Sequence, residues 1–109
     1  MIRAFVAAVI LGLCATQAQA QSVDKIEAGK KVYAAQKCQT CHAIHGVGNK
    51  KGPLDDVGAR LSEDEIRGWI VSAPEMMAKT KAARKPAMKS YTLSKEDLDA
   101  LVTYLESLR

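Results

Sequence analysis

The sequence is poor in aromatic residues, at 5%, with one tryptophan and three cysteines. It shows no strand-like alternation of apolar and polar residues, which argues against folds built on half-buried sheets. After residue 20 no stretch is apolar enough to span a bilayer, which takes roughly 20 residues as a helix; no stable membrane insertion is expected. Sixteen Lys and Arg against twelve Asp and Glu leave a net charge of +4. That is too weak and scattered for nucleic-acid binding, which shows as a strong basic footprint. It is compatible with steering towards an acidic protein partner. At 109 residues the chain holds one domain at most, and a monomer is expected.

What is present begins with a leader. Arg3, the apolar stretch Ala4 to Leu13, and the small-x-small run Ala18-Gln19-Ala20 form the three parts of a secretory signal peptide. Cleavage after Ala20 is expected, leaving Gln21 to Arg109 as the domain and the periplasm as its location. Cys14 raises the alternative of a lipid anchor. The residue before it is Leu13, not the small residue that lipoprotein processing prefers, so Cys14 is read as part of the discarded leader.

The remaining cysteines stand in Cys38-Gln39-Thr40-Cys41-His42, the C-x-x-C-H signature of c-type haem attachment. Cysteines three apart lie about one helical turn from each other, so both thiols can add across the vinyl groups on one porphyrin edge. The histidine that follows is then held under the iron as an axial ligand. Competing readings fit less well. A redox dithiol needs a β-α-β surround. A structural zinc site needs four closed ligands, and here Cys38, Cys41, His42 and His45 crowd into one short segment. A plain disulfide leaves His42 unexplained and closes too short a loop to restrict much chain entropy. His45 follows the motif too closely to reach the opposite face of the iron and is read as a solvated loop residue.

Three helices are legible. Asp24 with Glu27 is a D-x-x-E capping box that predicts a helix from Asp24 to about Lys37. Ser62 with Glu65 predicts a second from Ser62 to about Ala73, stopped by Pro74. Its apolar stripe is Ile66, Trp69 and Ile70. Trp69 either packs against the haem, with its indole N–H on a propionate, or fills core. Ser94 and Asp97 open a third, whose stripe is Leu98, Leu101, Val102, Leu105 and Leu108. Gly46 to Gly58 reads as loop. Such a small domain commonly needs a staple, and the haem fills the gap between the helices.

A second axial ligand would suit an electron carrier, and a methionine thioether raises the potential relative to two histidines. Met76, Met77 and Met88 are the candidates. Met88 lies in Lys85-Pro86-Ala87-Met88-Lys89-Ser90-Tyr91. With the C-x-x-C-H motif, this loop resembles the small bacterial class I (mitochondrial-type) monohaem cytochromes c, over about Asp24 to Leu108. The resemblance implies an all-α cytochrome c fold, about three main helices and long loops around one covalent haem c. It picks Met88 as the iron ligand opposite His42, with Met77 and Met76 as alternatives. Gly52-Pro53 is similar to the family's Gly-Pro element, which implies that the Pro53 carbonyl accepts a hydrogen bond from His42. The stretch from Pro53 to Val57 is one residue short of the usual form. Gly29 and Tyr33 resemble the family's pair on the first helix, and Leu101 and Tyr104 its partners on the last.

The function expected is outer-sphere transfer of single electrons, without enzymatic activity, between an exported dehydrogenase and a downstream respiratory acceptor. Lys79, Lys81, Arg84, Lys85 and Lys89 flank Met88 and are read as a docking rim for an acidic redox partner. Two alternatives stand. One is a dedicated partner or subunit of a single periplasmic oxidoreductase, for example a sulfite dehydrogenase. The other is a haem protein whose sixth site is open to gas or peroxide.

Overall fold

The computed structural model describes residues 13–109, with side chains from residue 22; most of the expected leader lies outside the described residues. Helix α1 spans Leu13–Ala35, α2 Val57–Arg60, α3 Glu63–Val71, α4 Ala73–Thr80 and α5 Lys95–Glu106. A single turn of 3-10 helix covers Cys38–Thr40, and two-residue strands β1 (Ala43–Ile44) and β2 (Val47–Gly48) form an antiparallel hairpin.

The all-α expectation holds, with α1, α3 and α5 as the main helices. Three local expectations are corrected. First, with the leader attached α1 begins at Leu13, so in this form of the chain Asp24 and Glu27 lie inside a helix and form no cap. Their backbone N–H groups have partners one turn earlier, which leaves a capping side chain nothing to satisfy. Second, Pro74 is not what stops the middle helix. The middle helix stops at Val71 and Ser72 caps both neighbours, while Pro74 occupies the first turn of α4, where a missing N–H costs nothing. Third, the segment read as loop, Gly46 to Gly58, contains β2 and the start of α2.

Two predicted helix starts are seen. Ser62 Oγ accepts from the Glu65 N–H at 3.2 Å and the Ser62 N–H donates to Glu65 Oε1 at 3.1 Å, a complete capping box. At α5, Ser94 Oγ accepts from the Asp97 N–H at 3.1 Å.

The frame rests on the crossing of α1 and α5. A Cβ on Gly29 would collide with the Ala100 carbonyl and lie 2.5 Å from Tyr104 Cβ, so only glycine permits the approach. Beside it Tyr33 and Tyr104 meet edge to face, ring centroids 5.9 Å apart. The predicted stripe of α5 supplies much of the core, with Leu101, Val102, Leu105 and Leu108 buried against Val32, Ile44, Val57, Ile66 and Ile70. Helix α2 docks on the end of α5 through the Gly58 N–H, which donates to the Leu108 carbonyl at 2.8 Å. Arg67 ties α3 to α5 by donating to Asp99 at 2.9 Å.

The long segment after α4 is pinned in two places. The Tyr91 N–H donates to the Ile70 carbonyl at 2.7 Å, and Ser90 Oγ accepts from the Ala73 N–H at 3.1 Å. These bonds hold the Met88 loop against the C-terminal end of α3.

Candidate haem site

Helix α1 ends where Lys37 turns left-handed, φ 57°, and the chain enters the 3-10 turn. The Cys38 carbonyl there accepts from the Cys41 N–H at 3.2 Å and the His42 N–H at 3.0 Å. One carbonyl thus gathers all three residues of the motif into a single turn. The hairpin then folds back beneath them. The Asn49 N–H donates to the His42 carbonyl at 2.9 Å, and Gly48 passes so close, at φ +111°, that any Cβ would strike that carbonyl.

These residues open onto a cavity of about 730 Å³, within the ~300–1,000 Å³ range of small-molecule and cofactor sites. Cys38, Cys41 and His42 form part of its wall. Ile66, Trp69 and Ile70 reach it from α3, Leu101 and Leu105 from α5, and Met77 and Met88 from the segments between. Trp69 is therefore at the cavity wall, as its haem-contact reading requires. The methionine candidates separate. Met77 and Met88 both line the cavity, whereas Met76 packs on α3, its Sδ 3.0 Å from where a Gly68 Cβ would stand.

His42 is part-buried, and its Nδ1–H donates to a backbone carbonyl at 3.1 Å. The acceptor is Gly52, not Pro53 as the resemblance implied. The reason lies in the parallel bridge between Ala43 and Pro53. In an extended segment successive carbonyls point opposite ways. The Gly52 carbonyl turns towards the motif, where it also accepts from the Ala43 N–H at 3.0 Å, and the Pro53 carbonyl turns away. The chemical provision is the same: Nδ1 is committed and Nε2 is left as the free nitrogen. Burial first, and the Arg84 charge in addition, hold His42 below its ordinary pKa, against the opposing pull of the Gly52 hydrogen bond. At neutral pH it is the uncharged imidazole that a metal requires.

The Cys38 thiol is pushed up to about 11, chiefly by burial and further by Cys41, with a backbone hydrogen bond opposing. Reactive dithiols work the other way, with a thiolate stabilised near neutrality, so the redox-dithiol reading loses support. Among the described residues no three His, Cys, Asp or Glu side chains are grouped to hold a metal. A closed zinc site has no ligand set there. His45 is exposed, with Nδ1 3.6 Å from Asp55, and does not line the cavity.

Sequence reasoning missed three wall residues. Arg60 lines the cavity while its Nε donates to Asp56 at 2.9 Å; the i, i+4 spacing of the pair was the available signal. Arg84 also lines it, where the sequence reading places it only on the docking rim. The third is the Tyr33 hydroxyl, the one buried side-chain polar atom without a partner among the described residues. Burial drives its pKa up to about 12. An orphaned buried donor in a cofactor-sized cavity fits a wall that another group completes.

A cysteine pair and a neutral imidazole on the wall of an apolar cavity define a covalent haem protein. The Cytochrome c family model matches residues 26–109, and the chain belongs to the cytochrome c family, as a small class I monohaem member. It is 31% identical over 102 residues to cytochrome c-555 of Methylococcus capsulatus, covering 92% of this chain and 76% of that one. It is also 28% identical over 90 residues to cytochrome c oxidase subunit 2 of Alkalihalophilus pseudofirmus, covering 74% of this chain but 25% of that protein. No solved structure matches. The family carries covalent haem c with iron, for which the Cys38–Cys41 pair has the right spacing, and the chain is a haem c electron carrier.

Proposed function

We propose that Cys38 and Cys41 hold the porphyrin through thioethers, that His42 Nε2 binds the iron on one face, and that Met88 Sδ binds it on the other. The observation that carries the proposal is that all four side chains stand on the wall of one cofactor-sized cavity. When bound, the haem iron supplies a reversible one-electron ferric–ferrous couple.

The protein's own groups set the conditions for that couple. The Gly52 carbonyl fixes the His42 ring and makes Nε2 a better donor. A methionine thioether is soft and favours the ferrous state. Ile66, Ile70, Leu101 and Leu105 keep water away, and Trp69 offers an indole N–H from α3. With His42 and Met88 both engaged by the iron, no position there would be left for a substrate, which suits a carrier.

Export follows from the leader, with cleavage after Ala20 and transfer in the periplasm between an exported dehydrogenase and a respiratory acceptor. Among the described residues no helix is long and apolar enough to cross a membrane. Docking is assigned to Lys79, Lys81, Arg84, Lys85 and Lys89. Support comes from their neighbours Thr80, Ala82, Pro86 and Ala87, which line the cavity, so the cations border the place where an electron enters or leaves.

The test is intact mass with visible spectra of the haem-matured protein in both redox states. An added haem mass, low-spin spectra and slow carbon monoxide binding to the ferrous form are expected. An unmodified mass would refute thioether attachment. Rapid carbon monoxide binding would replace the carrier with an open-site protein.

A further inference from the structure

Arg84 differs from most of the lysines around it. It lines the cavity, as Lys89 does, whereas Lys79, Lys81 and Lys85 do not; Lys89 Nζ stands over the Tyr91 ring, 5.0 Å from its centroid. Among the described residues no carboxylate lies within salt-bridge distance of Arg84; the ion pairs there involve Lys30, His45, Arg60, Arg67 and Lys95. Its guanidinium instead lies over Gly52. A Cβ at that position would run into Arg84 Nη1 and the Cys41 carbonyl, with Arg84 Cζ 3.0 Å away. Gly52 is the residue whose carbonyl accepts from His42 Nδ1. The cation of the Met88 loop therefore rests on the backbone that orients the histidine, one hydrogen bond away from it.

We infer that Arg84 sets the reduction potential of the bound iron, acting as a fixed positive charge that disfavours the ferric state. The inference rests on the haem reading above and deepens it. Oxidation adds one positive charge at the iron, and a cation held nearby opposes that addition by Coulomb repulsion. The effect is larger at an apolar wall than in open water. Gly52 leaves room for the guanidinium, since a side chain there would meet both it and the Cys41 carbonyl. Arg84 thus acts on the couple itself through its charge, besides the docking rim it shares with its lysine neighbours.

The experiment is a spectroelectrochemical titration of the haem-loaded wild type, Arg84→Gln, Arg84→Lys and Lys85→Gln. Arg84→Gln should lower the potential, raising the ferric-to-ferrous ratio at a given applied potential about threefold, or ~28 mV at ~59 mV per decade. Arg84→Lys, which keeps the charge, should stay nearer the wild type, and Lys85→Gln should leave the potential in place. An unchanged potential in Arg84→Gln overturns the inference. So does an equal fall in Arg84→Lys, which would show that charge is not the cause, or in Lys85→Gln, which would show that position is not. Failure of the haem reading itself is seen separately, as a wild-type intact mass without the prosthetic group.

Discussion

Gly29→Ala offers a test of the frame in which two physical effects predict opposite signs. In a free helix the change is favourable by about 1 kcal/mol, because alanine has the better helix propensity. At the α1–α5 crossing the new Cβ would overlap the Ala100 carbonyl, with Ala100 C at 2.9 Å and Tyr104 Cβ at 2.5 Å. These are atoms of a helix backbone and its first side-chain carbon, so no rotamer change relieves them. The helices must part by roughly an ångström to restore ordinary contact. Overpacking of this kind costs ~1–3 kcal/mol, and parting also loosens the Tyr33–Tyr104 edge contact and the packing of Leu101 and Leu105. The upper half of that range offsets the propensity gain and leaves a net loss of ~1–2 kcal/mol, or about 5–15 °C in Tm for a domain of this size. Thermal melts of the haem-loaded protein, followed by helical circular dichroism, measure it. A Tm equal to or above that of the wild type would mean that the two helices do not cross at Gly29 as described.

The remaining predictions concern the site and one ion pair. Met88→Ala should make the ferrous protein bind carbon monoxide rapidly, whereas Met77→Ala should not; the reverse pattern would move the axial ligand to Met77. The double reversal Lys81→Glu/Lys85→Glu should slow electron transfer to an acidic partner about tenfold or more at low ionic strength and weaken its salt dependence. Unchanged kinetics would remove the docking rim. Asp99 accepts from Lys95 and Arg67 at 2.9 Å each, and these bonds hold its carboxyl below the usual range. A depressed carboxylate pKa stabilises the fold above the unfolded value of about 3.9, and the gain is lost as pH falls through the folded value. Asp99→Asn should therefore lower Tm at neutral pH, and the gap to wild type should close in acid. A gap that stays constant with pH would exclude the carboxylate as its source.

The legible parts of this fold were those fixed by neighbours in sequence. The C-x-x-C-H run needs one turn to gather its residues, and the capping box at Ser62 needs four. The leucine stripe of α5 buries as its spacing requires. What was not legible depended on contacts between distant segments. Which of two adjacent carbonyls meets His42 is decided by the pairing of Ala43 with Pro53, a register that neither segment encodes alone. Pro74 reads equally well as a stop or as a first-turn residue, and the choice fell to Ser72, which serves two helices. The inward turn of Arg84 was hidden because a cation in a lysine-rich run has the pattern of a solvated surface.

The cavity links these observations. Its walls come from all five helices and the loops between them, and Val57, Ile66, Ile70, Leu101 and Leu105 of the core border it. Holding about 730 Å³ dry and unfilled would cost on the order of 15–20 kcal/mol at the ~24 cal/mol per Å³ measured for smaller voids. Water entering through the open side reduces that figure, at the expense of wetting Ile66, Ile70, Leu101 and Leu105. Either cost is large beside the ~5–15 kcal/mol net stability of a typical domain. The residues are therefore arranged for a core whose largest member is not an amino acid. That accounts for the scarcity of aromatics in the sequence: the haem supplies the flat apolar bulk that phenylalanines and tryptophans would otherwise provide. The same bulk carries the charge that moves, so under the proposed ligation the forces that stabilise the fold would also hold the iron between His42 and Met88.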